Sequence, residues 1–371
     1  MSKHDITELI AVSRRYGSDS RFVLLGGGNT SQKIDDVMYV KASGHALSTI
    51  GSDGFVAMSR PALDAIWGKT YPSDPAEREK LVLQDMMASR CEGESARPSV
   101  EALLHSLIPY TFVVHMHPAM VNGLTCSQSG KESMVKLFEQ ALWIPLVNPG
   151  YILANVVREA QTSYEKQFGH APKIIFLQNH GVFVAGDTIE EIELLYSQIM
   201  EKLNRSIIRK PNFTEIKVDE NRVEIVQKAM KAHFGEKDGY PLVVNRELSN
   251  RLVDENSFTP ISSAYTPDHI VYSGFKPLWI DESVFTEKQP DKVIVEKMKE
   301  YEAVNHVPAK VIAVQKTAAF ATSEQAMELF IDTVKVSVFT ESFGGPRFMD
   351  DDQIQFIRTW EVEQYRSKMQ G

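Results

Sequence analysis

The chain has 371 residues, 43% of them hydrophobic and 24% charged, a composition that is ordinary for a globular protein and excludes a collagen, a coiled coil or a disordered chain. The formal net charge of −9 argues against nucleic acid as a partner, because proteins that bind the phosphate backbone usually present a basic face. No apolar run approaches the roughly 20 residues that a membrane span needs, and two cysteines cannot form a disulfide framework, so we expect a cytoplasmic protein without a membrane partner.

The first half of the sequence predicts short strands alternating with helices. Apolar residues at helical spacing predict an N-terminal helix, and this segment lacks the apolar h-region of a signal peptide. Residues 21–25 predict a strand that runs into the glycine turn 26–28, and residues 34–40 predict a hairpin around Asp35-Asp36. The remaining predicted elements are helices at 77–90, 98–108 and 188–205, and strands at 111–117 and 174–177.

The length predicts two domains, since a domain usually has roughly 100–200 residues. A boundary near residue 212 is favoured because Lys210-Pro211-Asn212 ends a long helix and a mostly polar stretch follows. We therefore expect a catalytic α/β domain over residues 1–212 and a second α/β domain over 213–371. Helices are predicted in the second domain near 221–234, 291–303, 324–338 and 351–367.

One segment of the second half resembles a segment of the first. Residues 311–320 repeat the pattern of residues 174–183, and Lys316-Thr317-Ala318 stands where the earlier segment has Asn179-His180-Gly181. Both segments precede a helix with an acidic start. Either the second domain is a degenerate copy that has lost its histidine, or the likeness is one that any strand–turn–helix unit would show.

Three histidines are candidates for a metal site. His115 and His117 lie two residues apart in a predicted strand, so their side chains share one face. His180 lies in a turn after another strand. Three imidazoles with one open coordination position are typical of a catalytic zinc or a similar divalent ion. The alternative is an ordinary strand pair and a loop histidine that caps the next helix.

Glu101 is the candidate catalytic residue. It lies near the start of a helix that Ser99 is predicted to cap, where a carboxylate is favoured by the helix dipole. That placement alone explains a routine N-terminal glutamate. The functional alternative is a general base beside the metal that removes a proton next to a carbonyl.

The glycine turn 26–28 does not predict a nucleotide site. A dinucleotide fingerprint requires a helix after the glycines, whereas a hairpin follows here. The turn and its neighbours instead supply short donors that suit a small anion such as a phosphate monoester, although each is also an ordinary turn former. These candidate anion-binding residues are Asn29, Thr30, Ser31, Lys33, Ser43 and Gly44.

Taken together, five segments in this order resemble the class II aldolase/adducin family over residues 5–205. They are Gly28-Asn29-Thr30-Ser31, Lys41-Ala42-Ser43-Gly44, Pro98-Ser99-Val100-Glu101, His115-Met116-His117 and Asn179-His180-Gly181. The resemblance implies a three-layer αβα fold with a central, mainly antiparallel sheet, and a homo-oligomer, commonly a tetramer. It implies Zn²⁺, or another divalent ion such as Mn²⁺ or Co²⁺, on His115, His117 and His180, with Glu101 catalytic. It also places phosphate near Asn29, Ser43, Gly44 and Ser99.

The second half is similar to the aldolase half of fused rhamnulose-1-phosphate aldolase/dehydrogenase proteins. The matching segments are Tyr265-Thr266-Pro267-Asp268-His269, Lys276-Pro277-Leu278-Trp279 and Trp360-Glu361-Val362-Glu363. The sequence ends where their Rossmann domain would begin, so the dehydrogenase activity is not expected. We interpret Thr266-Pro267-Asp268 as a helix start; a role for Asp268 and His269 at the mouth of the active site is the alternative.

The resemblance implies a zinc-dependent aldolase that cleaves a ketose 1-phosphate, similar to rhamnulose or fuculose 1-phosphate. The products would be dihydroxyacetone phosphate and a short aldehyde, formed through an enediolate that the metal stabilises. Val100 departs from the pattern, since simple fuculose-phosphate aldolases have a second serine there. Two alternatives remain. One is a metal-dependent decarboxylase or epimerase of a sugar acid or sugar phosphate on the same scaffold, and the other is a non-enzymatic, adducin-like interaction protein.

Overall fold

A computed structural model describes residues 4–359 and divides them into two compact units, each with its own sheet. Among these residues no helix is both long and apolar enough to cross a bilayer. Unit 1 comprises residues 4–125, 129–206 and 355–359. Unit 2 comprises Cys126–Gln128 and Ile207–Ile354.

Unit 1 contains a seven-stranded sheet. Its strands are β1 (Asn29–Ile34), β2 (Val37–Lys41), β3 (Phe55–Ser59), β4 (Phe112–Met116), β5 (Leu142–Ile144), β6 (Ile174–Leu177) and β7 (Gly181–Gly186). Its helices are α1 (Thr7–Gly17), α2 (Arg60–Ile66), α3 (Pro75–Ala88), α4 (Ala102–Leu107), α5 (Ala119–Thr125), α6 (Gly130–Leu137), α7 (Tyr151–Phe168) and α8 (Ile189–Ser206). The strand order is β3-β2-β1-β4-β7-β6-β5, and every neighbouring pair is antiparallel except β5–β6. The predicted mainly antiparallel sheet is confirmed.

Helices cover both faces of this sheet, as the alternation along β1 shows. The hydroxyl of Ser31 lies 2.8 Å from Nδ1 of His105 on α4. The preceding residue of β1, Thr30, points to the other face, where its hydroxyl is hydrogen-bonded to that of Ser13 on α1. Because successive side chains of a strand point to opposite faces, α1 and α4 lie on opposite sides of the sheet. Unit 1 therefore has the expected three layers.

The predicted strand at residues 21–25 is wrong. These residues form turns and irregular backbone, and the sheet begins only at Asn29. Leu25 adopts a left-handed φ of +50°, which cannot be part of a regular strand. The apolar side chains in this stretch predicted a strand because composition alone does not reveal that backbone turn.

The helix predicted from residue 98 begins four residues later, at Ala102. The backbone before it is drawn instead into bonds with the end of β2, where Ser99 N–H donates to Lys41 O over 3.0 Å. Glu101 is consequently the residue that precedes α4 and not a residue of its first turn. The oxygen of the Ser99 side chain accepts from Glu101 N–H over 3.2 Å, so Ser99 fixes the backbone of Glu101.

Unit 2 contains a four-stranded sheet in the order β8-β11-β10-β9. Its strands are β8 (Leu242–Val243), β9 (Leu278–Ile280), β10 (Val311–Val314) and β11 (Ala318–Ala321). Its helices are α9 (Glu220–Phe234), α10 (Arg246–Arg251), α11 (Glu255–Phe258), α12 (Pro267–Tyr272), α13 (Pro290–Asn305) and α14 (Glu324–Thr340); α15 (Asp351–Thr359) follows them in the chain. The sequence segment Trp360-Glu361-Val362-Glu363 lies outside the described residues.

The helix start predicted at Thr266 is confirmed. Thr266 caps α12, with its side-chain oxygen accepting from His269 N–H over 3.4 Å. The imidazole of His269 is buried and its Nε2 lies 3.2 Å from Oδ2 of Asp332 on α14. His269 is therefore part of the interior of unit 2.

The turn between β10 and β11 repeats the turn between β6 and β7. Asn179 and Lys316, the equivalent turn residues, have φ values of +55° and +50°. His180 N–H donates to Leu177 O over 3.2 Å. In unit 2, Thr317 N–H donates to Val314 O over 3.1 Å. The predicted likeness of the two segments is therefore present in the backbone, and a threonine takes the place of the histidine.

The neighbouring strands extend this likeness. β5 pairs parallel to β6 and β9 pairs parallel to β10, while β4 and β8 pair antiparallel to β7 and β11. In this register His115 faces Phe183, and Leu242 faces Phe320. Unit 2 thus has a leucine where unit 1 has the first candidate metal ligand.

Lys33 on β1 gives a test of the packing of unit 1. Its side chain is buried with Nζ donating to Tyr110 O over 3.1 Å. Burial, assisted by the positive charge of Arg60, lowers the pKa of Lys33 from 10.5 to about 7. Between those values the unfolded chain binds the proton and the folded chain does not, so the stability of the fold should rise with pH across this window.

We therefore expect Lys33→Met to raise the melting temperature, because the variant no longer loses a proton on folding. The gain should be largest near pH 7 and smaller at pH 9.5. Thermal unfolding at both pH values measures it, with the exposed Lys80→Met as the matched control. A gain that is equal at the two pH values would contradict the burial of a neutral amine.

Candidate metal centre and active site

The register of unit 1 assembles a row of side chains beneath α4. Asn29 on β1 pairs with His115 on β4, which pairs with Phe183 on β7. Paired residues in an antiparallel sheet present their side chains on the same face. His117 follows the end of β4, and His180 occupies the turn before β7. All three histidines singled out from the sequence therefore meet at one end of these strands.

The three imidazoles turn their nitrogens toward one another. Nε2 of His115 lies 2.9 Å from Nε2 of His117 and 3.4 Å from Nε2 of His180. One ligand nitrogen from each ring falls within 4.8 Å of the others. His115 is fully buried, and its Nδ1 donates to Val182 O over 3.1 Å. That bond fixes the tautomer in which Nε2 presents a lone pair to the centre of the cluster.

Glu101 completes the cluster. Its Oε1 lies 3.4 Å from Nε2 of both His115 and His180. This oxygen is buried and accepts no hydrogen bond from the described residues. The other oxygen, Oε2, accepts a hydrogen bond from Nδ2 of Asn29. The carboxylate is therefore fixed at one end and directs an unsatisfied oxygen toward the three histidines.

This donor set fits a divalent cation. Zinc bonds imidazole nitrogen at roughly 2.0–2.1 Å, so neighbouring ligand atoms of a tetrahedral site lie about 3.3–3.4 Å apart. The His115–His180 separation and both Glu101 separations are 3.4 Å, whereas the His115–His117 separation of 2.9 Å would have to widen by about 0.4 Å to accept the ion. Three neutral imidazoles and one carboxylate are also a ligand set that zinc accepts. His115, His117 and His180 could hold such an ion, with Oε1 of Glu101 beside it.

A second layer of side chains, which the sequence did not single out, supports His115. The ring of Phe183 stacks on that of His115, with centroids 4.0 Å apart and planes inclined by 14°. The ring of His105 packs edge-on against Phe183 at 5.4 Å. Burial holds the pKa of His105 well below its ordinary range, so this imidazole adds no charge. The one feature of the sequence that could have pointed to His105 is its position four residues after Glu101, a spacing that brings two side chains of a helix close together.

Three of the candidate anion-binding residues come together at the end of β2. Ser43 N–H donates to Arg97 O over 2.9 Å, and the Ser43 hydroxyl donates to Pro98 O over 3.1 Å. These bonds hold Ser43 and Gly44 against the segment that carries Ser99. Gly44 has a φ of +88°, a conformation that suits glycine. Asn29 joins the group through its bond to Glu101.

Thr30 and Ser31 lie elsewhere. Both are fully buried. The Thr30 hydroxyl is bonded to Ser13 on the opposite face of the sheet, and the Ser31 hydroxyl is bonded to His105. Because both side chains are shielded from solvent and engaged, we omit them from the phosphate site and assign them to the packing of α1 and α4.

Comparison with known proteins places the chain in a family. The family described as Class II Aldolase and Adducin N-terminal domain matches residues 7–202. The chain belongs to this family. It is 25% identical over 311 residues, 74% of this chain, to a Bacillus subtilis (strain 168) protein named Uncharacterized oxidoreductase YuxG, and spans 42% of the length of that protein.

Two solved structures also resemble it. The N-terminal class II aldolase domain of a conserved protein from Thermoplasma acidophilum is 28% identical, with a TM-score of 0.47, over 55% of this chain and 94% of that one. L-fuculose-1-phosphate aldolase from Thermus thermophilus is 14% identical, with a TM-score of 0.34, over 54% of this chain and 94% of that one.

Gly181 gives a test of the centre. A Cβ there would lie 2.5 Å from Met116 O and 2.7 Å from Cδ2 of His117, closer than van der Waals contact allows. We expect Gly181→Ala to displace His117 and to weaken zinc binding at least tenfold, as measured by competition with a chelating dye. Gly68→Ala is the control, since its nearest contact would be 3.6 Å. Unchanged zinc affinity in Gly181→Ala would contradict the assignment of His117.

Proposed function

We propose that this protein is a zinc-dependent aldolase. It cleaves a ketose 1-phosphate, of the rhamnulose or fuculose 1-phosphate type, to dihydroxyacetone phosphate and a short aldehyde. Membership of the class II aldolase and adducin family supports the reaction class. The observation that carries the proposal is the position of Glu101, whose free oxygen lies 3.4 Å from two of the three histidines.

The histidines and the carboxylate divide the chemistry. His115, His117 and His180 would hold the cation, which when bound supplies a Lewis acid for the negative charge that develops at the substrate carbonyl. In cleavage, Glu101 takes the proton from the hydroxyl whose carbon becomes the aldehyde and returns it to the carbon next to the carbonyl once the C–C bond between them has broken. In the reverse condensation it is the base at that carbon. Its Oε1 is available for the proton, because only Oε2 is engaged by Asn29. The fixed carboxylate needs little reorganisation before proton transfer.

The phosphate of the substrate would bind where the loops 41–44 and 97–101 meet. Asn29, Ser43, Gly44 and Ser99 are the proposed contacts. The Ser99 hydroxyl accepts from Glu101 N–H and keeps its own proton for a ligand. The Ser43 hydroxyl would exchange its bond to Pro98 O for one to the phosphate. Hydroxyl donors of this kind suit phosphate. Asn29, a proposed phosphate contact, also donates a hydrogen bond to Glu101. The proposed phosphate site and the proposed base are therefore adjacent, and one substrate molecule could contact both.

The proposed setting is a cytoplasmic homo-oligomer, a tetramer by family resemblance, that acts on a small molecule. The acidic net charge of −9 supports a small-molecule substrate over nucleic acid. A local cluster of donors, rather than the overall field, would attract the anionic substrate.

Cleavage of ketose 1-phosphates should be metal-dependent and should release dihydroxyacetone phosphate. The purified full chain is assayed against a panel of these sugars by coupled detection of that product. Dialysis against a chelator should abolish turnover, and zinc should restore it. Carbon dioxide released from a sugar-acid phosphate, without dihydroxyacetone phosphate from any ketose, would replace the aldolase with a decarboxylase.

Glu101→Gln should retain zinc and lower kcat by about 10²–10⁴-fold, the usual contribution of a general acid or base. The amide preserves the shape of the side chain but cannot take the proton. Zinc content by mass spectrometry and steady-state kinetics test this, with the exposed Glu92→Gln as the control. Near-normal turnover in Glu101→Gln would exclude this residue as the base.

A further inference from the structure

The segment 24–28, which we call the glycine arch, has a strained backbone. Leu25 and Gly28 have φ values of +50° and +72°, and a leucine in the left-handed region is unfavourable. One backbone hydrogen bond closes the arch, from Gly27 N–H to Leu24 O over 3.1 Å. Because strained conformations persist only when their surroundings enforce them, the arch needs support from outside.

The glycine arch runs beside the metal-ligand strand and leads into Asn29. Just before it, Phe22 O accepts from His117 N–H over 3.0 Å. At its end, a Cβ on Gly28 would lie 3.0 Å from His115 O. The next residue, Asn29, pairs with His115 and donates to Oε2 of Glu101. The conformation of the arch therefore determines where the Asn29 amide meets the carboxylate.

Lys41 supplies the support. Its side chain is buried, with 5% exposure for the residue, and Nζ donates to Gly26 O and to Gly28 O, each over 3.0 Å. Both glycines are buried, so water cannot readily replace these bonds. The backbone oxygen of Lys41 accepts from Ser99 N–H over 3.0 Å. One residue thus fixes both the arch and the segment that carries Glu101.

We propose that Lys41 is a positioning residue for Glu101, because its side chain fixes the glycine arch and thereby holds the Asn29 amide against the carboxylate. The inference rests on the proposed function only in taking Glu101 as the base. Lys41 does not bind the substrate in this account. Its removal should lower the rate of proton transfer and leave the three imidazoles able to bind zinc.

Lys33 is the matched control. It is also a buried lysine of the same sheet, but its Nζ donates to Tyr110 O, away from the arch. Lys33→Met and Lys41→Met therefore remove the same functional group, an amine on a four-carbon chain, from two buried positions. A general effect of losing a buried lysine would appear in both variants, whereas the positioning effect should appear only in Lys41→Met.

The first measurement needs no substrate. Amide hydrogen–deuterium exchange of the zinc-loaded full chain should increase in Lys41→Met for peptides that cover residues 22–31 and 99–105. Zinc content should stay unchanged, and Lys33→Met should match the wild type in these peptides. Wild-type exchange in both segments of Lys41→Met would overturn the proposal, whatever reaction the protein catalyses.

The second measurement is a double-mutant cycle on kcat with Lys41→Met and Asn29→Ala. Lys41→Met should lower kcat about tenfold with little change in KM. Asn29→Ala should lower kcat at least as far and also raise KM, because Asn29 is a proposed phosphate contact, and kcat of the double variant should match that of Asn29→Ala, since Lys41 acts through Asn29. Lys41→Arg retains hydrogen-bond donors and should recover most of the rate. If methionine prevents folding, Lys41→Gln, whose shorter side chain cannot bridge Gly26 O and Gly28 O, replaces Lys41→Met in the cycle.

Additive losses, or a change in KM alone, would overturn the positioning role. Absence of turnover in the wild type on every ketose 1-phosphate would instead refute the proposed function. The exchange measurement would still decide the structural role of Lys41 in that case.

Discussion

The site depends on one constraint, the antiparallel register of β1, β4 and β7. This register sets His115 beside Asn29 and Phe183, and the turn before β7 brings His180 back to the same end of the sheet. One ligand nitrogen from each of the three imidazoles and Oε1 of Glu101 then lie close together, and Oε1 accepts no hydrogen bond from the described residues. A buried carboxylate oxygen without a hydrogen-bond donor is unfavourable, and a cation among the three imidazoles would satisfy it.

Unit 2 shows that the strand and turn arrangement does not require this chemistry. It keeps the left-handed turn residue, the parallel and antiparallel neighbours and the helix that follows. Leu242 and Thr317 occupy the positions of His115 and His180. The same backbone therefore carries a candidate metal centre in one unit and, at the equivalent positions of the other, an exposed leucine and a buried threonine. The fold provides positions, and the side chains at those positions determine the function.

The sequence predicted the parts of the site that follow local rules. A His-x-His strand and a histidine turn have recognisable patterns, and the order of five motifs identified the family. Thr30 and Ser31 were both predicted to bind phosphate, whereas their hydroxyls lie on opposite faces of the sheet. The alternation of side chains along a strand already implies that two neighbouring residues cannot line the same site. The contact between Asn29 and Glu101 joins residues 72 positions apart. Such pairs depend on tertiary packing, as does the left-handed Leu25, which interrupts what its composition predicts as a strand.

Anomalous diffraction from crystals of the zinc-loaded protein tests the central claim most directly. The account predicts one zinc peak in unit 1, roughly 2.0–2.1 Å from Nε2 of His115, His117 and His180, with an oxygen of Glu101 or a water completing the coordination. A zinc ion bound elsewhere, or bound by fewer than three of these imidazoles, would contradict it.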